Sequence, residues 1–196
     1  VMRLAYQCKH TSMIVEGKVL CNEYGTDYFD LTESVDVTNY VKTLTNAKFV
    51  TQCGLAPGMV NIIAHHMARQ YNEVQDIEIR VGALPINANN HMGYYRTWST
   101  EGLINEYIHP CPAVKDGRLV VLEPLTQEEI VNMGGIILEA RTTSGGVGSL
   151  AETWQGRARN VNYKTLRYPG HWDLIQYLKD DLGLATNFHT FVDIFN

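Results

Sequence analysis

Apolar and polar positions follow two periods along this chain, and the switches between them outline its elements. Period-two alternation in Ile77-Glu78-Ile79-Arg80-Val81 predicts a strand. The same alternation in Ile136-Ile137-Leu138-Glu139-Ala140-Arg141-Thr142 predicts a strand with one wet face, of the kind found at an antiparallel edge. β-Branched and aromatic runs predict further strands at Tyr28-Phe29-Asp30-Leu31, 48–53, 112–115, 118–122 and 159–167, with Asp116-Gly117 as a hairpin turn, and Tyr94-Tyr95-Arg96-Thr97-Trp98 is strand-like. Apolar residues at 59, 60, 62, 63, 67 and 68 recur at the helical period and predict a helix over 59–71. Helices are also expected over 11–24, 35–45, 147–156, 171–182 and 187–195, and from a Ser99 cap to Ile108.

The order of these elements divides the chain. Up to residue 53 helices and strands alternate, which argues for parallel pairing. From Val74 strands follow one another with short turns, as in an antiparallel sheet. The fold class is therefore α/β: the end of a parallel unit in residues 1–53, then an α+β domain with a mixed, mostly antiparallel sheet in 54–196. Val1 to Tyr6 already reads as a strand end, so the chain enters the parallel unit midway. Between the two parts, Gly54-Leu55-Ala56-Pro57-Gly58 leads from a strand end into a helix whose first amides are unpaired, a common place for ligands in open α/β sheets.

Composition removes several function classes. The chain has 196 residues, 16 Lys and Arg against 21 Asp and Glu, and a net charge of −5, with no basic cluster to attract nucleic acid. Its apolar runs are far shorter than the roughly 20 residues of a membrane span, and its first residues lack signal-peptide order, so a cytoplasmic protein is expected. Cys8, Cys21, Cys53 and Cys111 have no paired spacing, which points to reduced thiols rather than disulfides or a zinc cage. No H-E-x-x-H, phosphate-loop lysine, G-x-S-x-G or calcium-loop pattern occurs, and the adjacent His65 and His66 project about 100° apart on a helix. No metal is expected.

One stretch imitates a cofactor loop. Gly146-Val147-Gly148-Ser149-Leu150-Ala151 has the G-x-G-x-x-A form of a dinucleotide pyrophosphate turn. The strand before it has a wet face, and the window 164–172 contains no acidic residue to hold a ribose. The remaining readings are a tight strand-to-helix turn and a set of free amides facing a substrate carboxylate.

Six stretches in order carry a resemblance: 28–33 (Tyr-Phe-Asp-Leu-Thr-Glu), 53–58 (Cys-Gly-Leu-Ala-Pro-Gly), 80–85 (Arg-Val-Gly-Ala-Leu-Pro), 98–107 (Trp-Ser-Thr-Glu-Gly-Leu-Ile-Asn-Glu-Tyr), 143–146 (Thr-Ser-Gly-Gly) and 162–171 (Asn-Tyr-Lys-Thr-Leu-Arg-Tyr-Pro-Gly-His). Together they resemble the saccharopine dehydrogenase-like oxidoreductases, nearest their lysine 6-dehydrogenase-like branch, over about residues 24–182. The resemblance implies a Rossmann-type domain binding NAD or NADP, followed by a substrate domain with a mixed sheet. It makes residues 1–53 the end of that Rossmann-type sheet, without its glycine-rich clamp, and places the 142–151 loop on the substrate side. It also implies oxidation at a C–N bond, with hydride leaving the carbon that bears an amine and water hydrolysing the imine. The expected partners are a small amino-acid substrate and a second copy of the chain in a homodimer.

Candidate residues follow from what that chemistry needs. His171 opens a helix after a Pro-Gly turn, where the dipole favours the neutral, base-competent imidazole; an ordinary capping histidine explains it equally. Arg167 and Tyr168 end the preceding strand, and an Arg fork suits a carboxylate, with a structural salt bridge as the rival. Thr143 and Ser144 lead the glycine loop and offer hydroxyls either to the same carboxylate or to a helix cap. Trp98 is a pocket wall or a core aromatic, and Asn105 lies on the same helix as Glu101. Saccharopine reductases have an Arg in the stretch similar to Trp98–Gly102, where this chain has Glu101. A pocket carboxylate there favours a cationic amine over a tricarboxylate, while a first-turn acid on a helix explains it without a pocket. Cys53 and Tyr6 stand at expected strand ends facing the cofactor crevice, with a buried filler thiol as the plainer reading of Cys53. Gly54, Leu55, Ala56, Pro57 and Gly58 are the expected cofactor contacts.

Overall fold

The computed structural model describes residues 11–32 and 35–195. Its first part contains α1 (Thr11–Glu23), β1 (Tyr28–Phe29), α2 (Val35–Val41) and β2 (Phe49–Val50). β1 and β2 pair in parallel, Tyr28 beside Phe49, as the alternation of helix and strand requires. Backbone bonds from Asp30 N to Val50 O and from Cys53 N to Asp30 O continue the pairing past the regular ladder. The ladder stops short of the expected 48–53 because Gln52 takes a positive φ of 61° and turns the chain toward Gly54. Lys18 of α1, fully buried, sits 2.6 Å from Asp30 and ties the helix to the end of β1.

The second part is built on a six-stranded sheet. α3 (Met59–Ala68) leads into β3 (Val74–Val81), α4 (Thr100–Ile108) and the hairpin of β4 (Cys111–Lys115) and β5 (Arg118–Leu122). Then come β6 (Glu129–Met133), β7 (Ile136–Thr142), α5 (Leu150–Trp154), β8 (Ala158–Arg167), α6 (His171–Gln176) and α7 (Phe188–Ile194). β8 is the axis of the sheet. β3 lies parallel along one edge, Ile77 beside Val161 and Val81 beside Thr165. The other edge is shared in succession by β4, at Val114 and Val161, and by β7, from Thr142 and Lys164 to Glu139 and Arg167, both antiparallel. β5 and β6 close the two ends of the order β5-β4-β8-β7-β6.

Alternation along β8 sends Val161, Tyr163, Thr165 and Arg167 to one face. Under the first two, α3 and α5 pack Ala68, Leu150, Ala151 and Trp154 against Ile77, Ile79 and Val161. Further along, α4, α6 and α7 form a second core of Leu103, Ile104, Tyr107, Trp172, Ile175 and Phe191. The opposite face carries Arg80, Glu129 and Lys164, with Glu129 Oε2 accepting from Arg80 Nη2 at 2.7 Å and from Lys164 Nζ at 2.8 Å.

Several elements differ from the sequence expectation. β6 was not expected; it makes β7 an interior strand rather than an edge, and the wet face of β7 is covered, because Glu139 accepts from Gly170 N just before α6 and Arg141 donates to Asp173 and Gln176 within it. Tyr94–Trp98 forms no strand. Asn90 takes both backbone groups of Tyr94, accepting from Tyr94 N at 3.3 Å and donating to Tyr94 O at 2.9 Å, and the rings of Tyr94 and Trp98 turn into the second core while Tyr95 stays exposed. The helix expected over 147–156 starts only at Leu150 because 145–148 form a glycine turn. The helix expected over 171–182 is α6 followed by one wide π-helical turn, Tyr177–Asp181.

Candidate functional site

The carboxyl end of β8 brings three of the candidates, Arg167, His171 and Trp98, into one cluster. Arg167, its last residue, is 3% exposed and projects beneath α4 and α6. Its guanidinium lies 4.5 Å over the ring of Tyr94 and 5.7 Å from that of Trp172, and Nη1 donates to Leu166 O at 3.0 Å. Nη2 donates to the Tyr107 hydroxyl at 3.4 Å. That hydroxyl is 3.2 Å from His171 Nε2, and His171 Nδ1 is 2.9 Å from Met92 O. A carbonyl can only accept, so Nδ1 carries the proton, and the bare Nε2 accepts from Tyr107. The donors therefore run in one direction, Arg167 to Tyr107 to His171 to Met92. Trp98 joins the cluster by donating from Nε1 to Tyr94 Oη at 3.0 Å.

Burial decides the charge states. Burial first, then the nearby Arg167, pushes the His171 imidazole down to about 3, against the pull of the Met92 carbonyl, so it is neutral at physiological pH. Burial raises the Tyr107 phenol, and Arg167 only partly offsets it. Glu106, from the same turn of α4, is buried, and this burial pushes its carboxyl up to about 7 against the opposing pull of Arg167. Its Oε2 stands 4.0 Å from Arg167 Nη2, beyond hydrogen-bond length. Among the described residues, neither Glu106 Oε2 nor Arg167 Nε has a hydrogen-bond partner. Glu106 and Tyr107 were not among the candidates drawn from the sequence. Their signal is the phase of α4: Leu103, Glu106 and Tyr107 lie at i, i+3 and i+4 on its buried face, so a carboxylate occupies a core position.

The loop after β7 joins this cluster to the other candidate region. Ser144 N donates to Glu106 O at 3.1 Å and Ser144 Oγ to Asn105 O at 3.0 Å, while the hydroxyls of Thr143 and Thr165 are 2.7 Å apart. A few residues on, Asn61 Nδ2 donates to Val147 O at 2.8 Å, which fixes the loop against the start of α3. The glycines are there for packing. A Cβ on Gly146 would lie 2.1 Å from Tyr163 Cζ, and one on Gly148 would press on Pro57 and Gln52. The G-x-G-x-x-A stretch is thus a filled strand-to-helix turn rather than a nucleotide seat, and α5 behind it is only five residues long.

The other candidates are spread more widely. Gly54–Gly58 forms a closed turn, with Gly54 N bonded to Pro57 O and Gly58 N to Asn61 Oδ1. Gly58 has a φ of 138°, and a Cβ there would lie 2.1 Å from Gly54 O. Leu55 is exposed on this turn, Ala56 is half-buried and Pro57 is buried. Cys53 is exposed beside it, and burial and Asp30 raise its thiol. Tyr168 points away from Arg167 and donates to Pro85 O at 2.9 Å. Glu101 is half-buried in the first turn of α4, whose Ser99 cap accepts from Gly102 N at 3.2 Å. Tyr6 lies outside the described residues. Among the described residues no group of His, Cys, Asp and Glu could hold a metal ion, and no helix is long and apolar enough to cross a membrane.

Comparison with known proteins places this architecture. Apo histidine-tagged saccharopine dehydrogenase (L-Glu forming) from Saccharomyces cerevisiae matches 84% of the chain with a TM-score of 0.63 at 17% sequence identity. The chain spans 40% of the length of that protein, and at this identity the likeness shows the fold: a mixed, mostly antiparallel six-stranded sheet beside a small parallel pair. The family described as saccharopine dehydrogenase C-terminal domain matches residues 54–192, which include every side chain of the buried cluster. The chain belongs to the saccharopine dehydrogenase C-terminal domain family.

Proposed function

We propose that this chain is the substrate-binding portion of an NAD(P)-dependent oxidoreductase acting on a C–N bond of an amino acid of lysine or saccharopine type. The observation that carries the reading is Arg167: a guanidinium almost wholly buried, against the rings of Tyr94 and Trp172, whose Nε has no hydrogen-bond partner among the described residues. Such a group is costly to enclose, and an amino-acid carboxylate is its natural complement.

The glycine-rich 146–151 stretch does not seat a cofactor pyrophosphate, since Tyr163, Pro57 and Gln52 pack against its glycines. The Gly54–Gly58 turn, at the carboxyl end of β2, lies where a nucleotide held on a parallel sheet meets its substrate. NAD(P), when bound, accepts the hydride from the carbon bearing the nitrogen. The residues described here bind and orient. Arg167 fixes the substrate's carboxylate, Tyr94, Trp98 and Trp172 exclude water from it, and the chain from Tyr107 through His171 to Met92 holds the guanidinium in place.

A second reading, a ligand-binding module without turnover, is favoured by one observation: the His171 lone pair is already occupied by Tyr107, so the cluster lacks a free imidazole base. Purified complete gene product, given L-lysine or saccharopine with NAD+ or NADP+, separates the two readings. Amino-acid-dependent appearance of the reduced nicotinamide supports the oxidoreductase. Calorimetric binding of the same amino acids with no reduction supports the module and ends the first reading.

A further inference from the structure

Two buried polar atoms of opposite sense, on two neighbouring side chains, have nothing to bond. Arg167 Nε has a proton and no acceptor, and Glu106 Oε2 has lone pairs and no donor. They do not satisfy each other. The guanidinium is held by the Tyr94 and Trp172 rings and by its bonds to Leu166 O and the Tyr107 hydroxyl. The backbone of Glu106 is anchored separately, its carbonyl accepting from Ser144 N. The result is a charge pair whose nearest atoms remain 4.0 Å apart. A neutral ligand satisfies neither group, and a bare carboxylate satisfies Arg167 while pressing a like charge on Glu106. A ligand carrying an acceptor anion and a donor cation on one carbon satisfies both.

We propose that Glu106 and Arg167 together receive the zwitterionic end of an α-amino acid, with Arg167 taking the carboxylate and Glu106 the α-ammonium. The proposal rests on the reading above that the ligand is an amino acid, and it adds which end is buried and which residue selects it. The α-end is held at the carboxyl end of β8, and the side chain of the amino acid extends away from it. A lysine-type substrate then presents its ε-nitrogen as the outer, reacting end. The carboxylate that recognises the amino group is Glu106, at a core position of α4, rather than Glu101 at its start.

Isothermal titration of the complete gene product tests this with four probes. L-Norleucine has only the α-zwitterion, L-lysine has it with a second amine, cadaverine lacks the carboxylate, and 6-aminohexanoate lacks the α-amine. The two α-amino acids are expected to bind at least about tenfold more tightly than the other two, the equivalent of one charge-assisted contact. Glu106→Gln, nearly isosteric, is expected to weaken L-norleucine by about tenfold or more and to leave 6-aminohexanoate unchanged. Equal affinity for L-norleucine and 6-aminohexanoate, or unchanged L-norleucine binding in a folded Glu106→Gln protein, overturns the proposal, as does the absence of binding by all four probes. Should Glu106→Gln fail to fold, the four-probe series on the unaltered protein decides. L-Norleucine binding that depends on Glu106, without turnover of any lysine-type substrate, leaves the receptor standing and removes the oxidoreductase reading. Turnover with no preference for the zwitterion does the reverse.

Discussion

His171 is 1% exposed and gives up both ring nitrogens to the protein, one to Met92 O and one to the Tyr107 hydroxyl. A helix-start histidine after Pro-Gly is readable from the sequence, but its partners, 64 and 79 residues away, are not. The imidazole falls to about 3 in the folded protein from an unfolded value near 6.5, so the unfolded chain takes up the proton first as the solution is acidified. Its contribution is fully present above about pH 6.5 and is lost progressively toward 3. Urea midpoints measured from pH 7 to pH 4 are therefore expected to fall more steeply for the unaltered protein than for His171→Asn, and parallel slopes would contradict the buried neutral imidazole. Gly146 makes a second residue-scale point. Gly146→Ala puts a methyl group into the Tyr163 ring and is expected to cost about 1–3 kcal/mol of unfolding free energy, as overpacking does. A spacing pattern shows where glycines stand but not what presses on them, which is why the same letters also read as a nucleotide turn.

Whole elements were more legible than their edges. The helix period of α3, the Ser99 cap of α4 and the Asp116-Gly117 hairpin were all readable, because local chemistry specifies each of them. β6 was missed because Glu129-Ile130-Val131-Asn132-Met133 is short and half polar, although the Gly134-Gly135 turn after it, both at positive φ, is a hairpin signal. Tyr94–Trp98 was misread because β-propensity and core packing favour the same aromatic residues. β6 is fastened by charge: Glu129 accepts from Arg80 of β3 and Lys164 of β8, and these bonds, working against its partial burial, hold its carboxyl at about 2. A folded value below the unfolded one means a contribution present above about pH 4.5 and lost as the pH falls toward 2. Glu129→Gln is expected to lower stability at neutral pH and to flatten the loss on acidification in that window, by an amount that solvent screening reduces because the side chain is one-third exposed. Identical pH profiles for variant and parent would show that the bonds contribute nothing to the sheet.

At the scale of the molecule, the loop from Thr143 to Gly148 is the hinge of the account. Thr143 bonds Thr165 of β8, Ser144 braces α4 beside the Arg167 cluster, and residues 146–148 meet Asn61 of α3 and the turn that follows β2. The sequence pointed to the loop, the Arg and the His through ordered motifs, and the family match over residues 54–192 spans all three. It did not identify Glu106 and Tyr107, because a helix phase says that a position is buried and not which charge it meets there.

The most direct test of the central claim, that the Arg167 cluster is the substrate site of an amino-acid oxidoreductase, is steady-state kinetics of the complete gene product with Arg167→Lys. Lysine cannot reproduce the stacked fork, so kcat/KM for the amino acid is expected to fall by at least about tenfold while nicotinamide binding is unchanged. A folded Arg167→Lys enzyme with unaltered kcat/KM, or a parent protein that reduces no nicotinamide with any lysine-type substrate, would contradict the account.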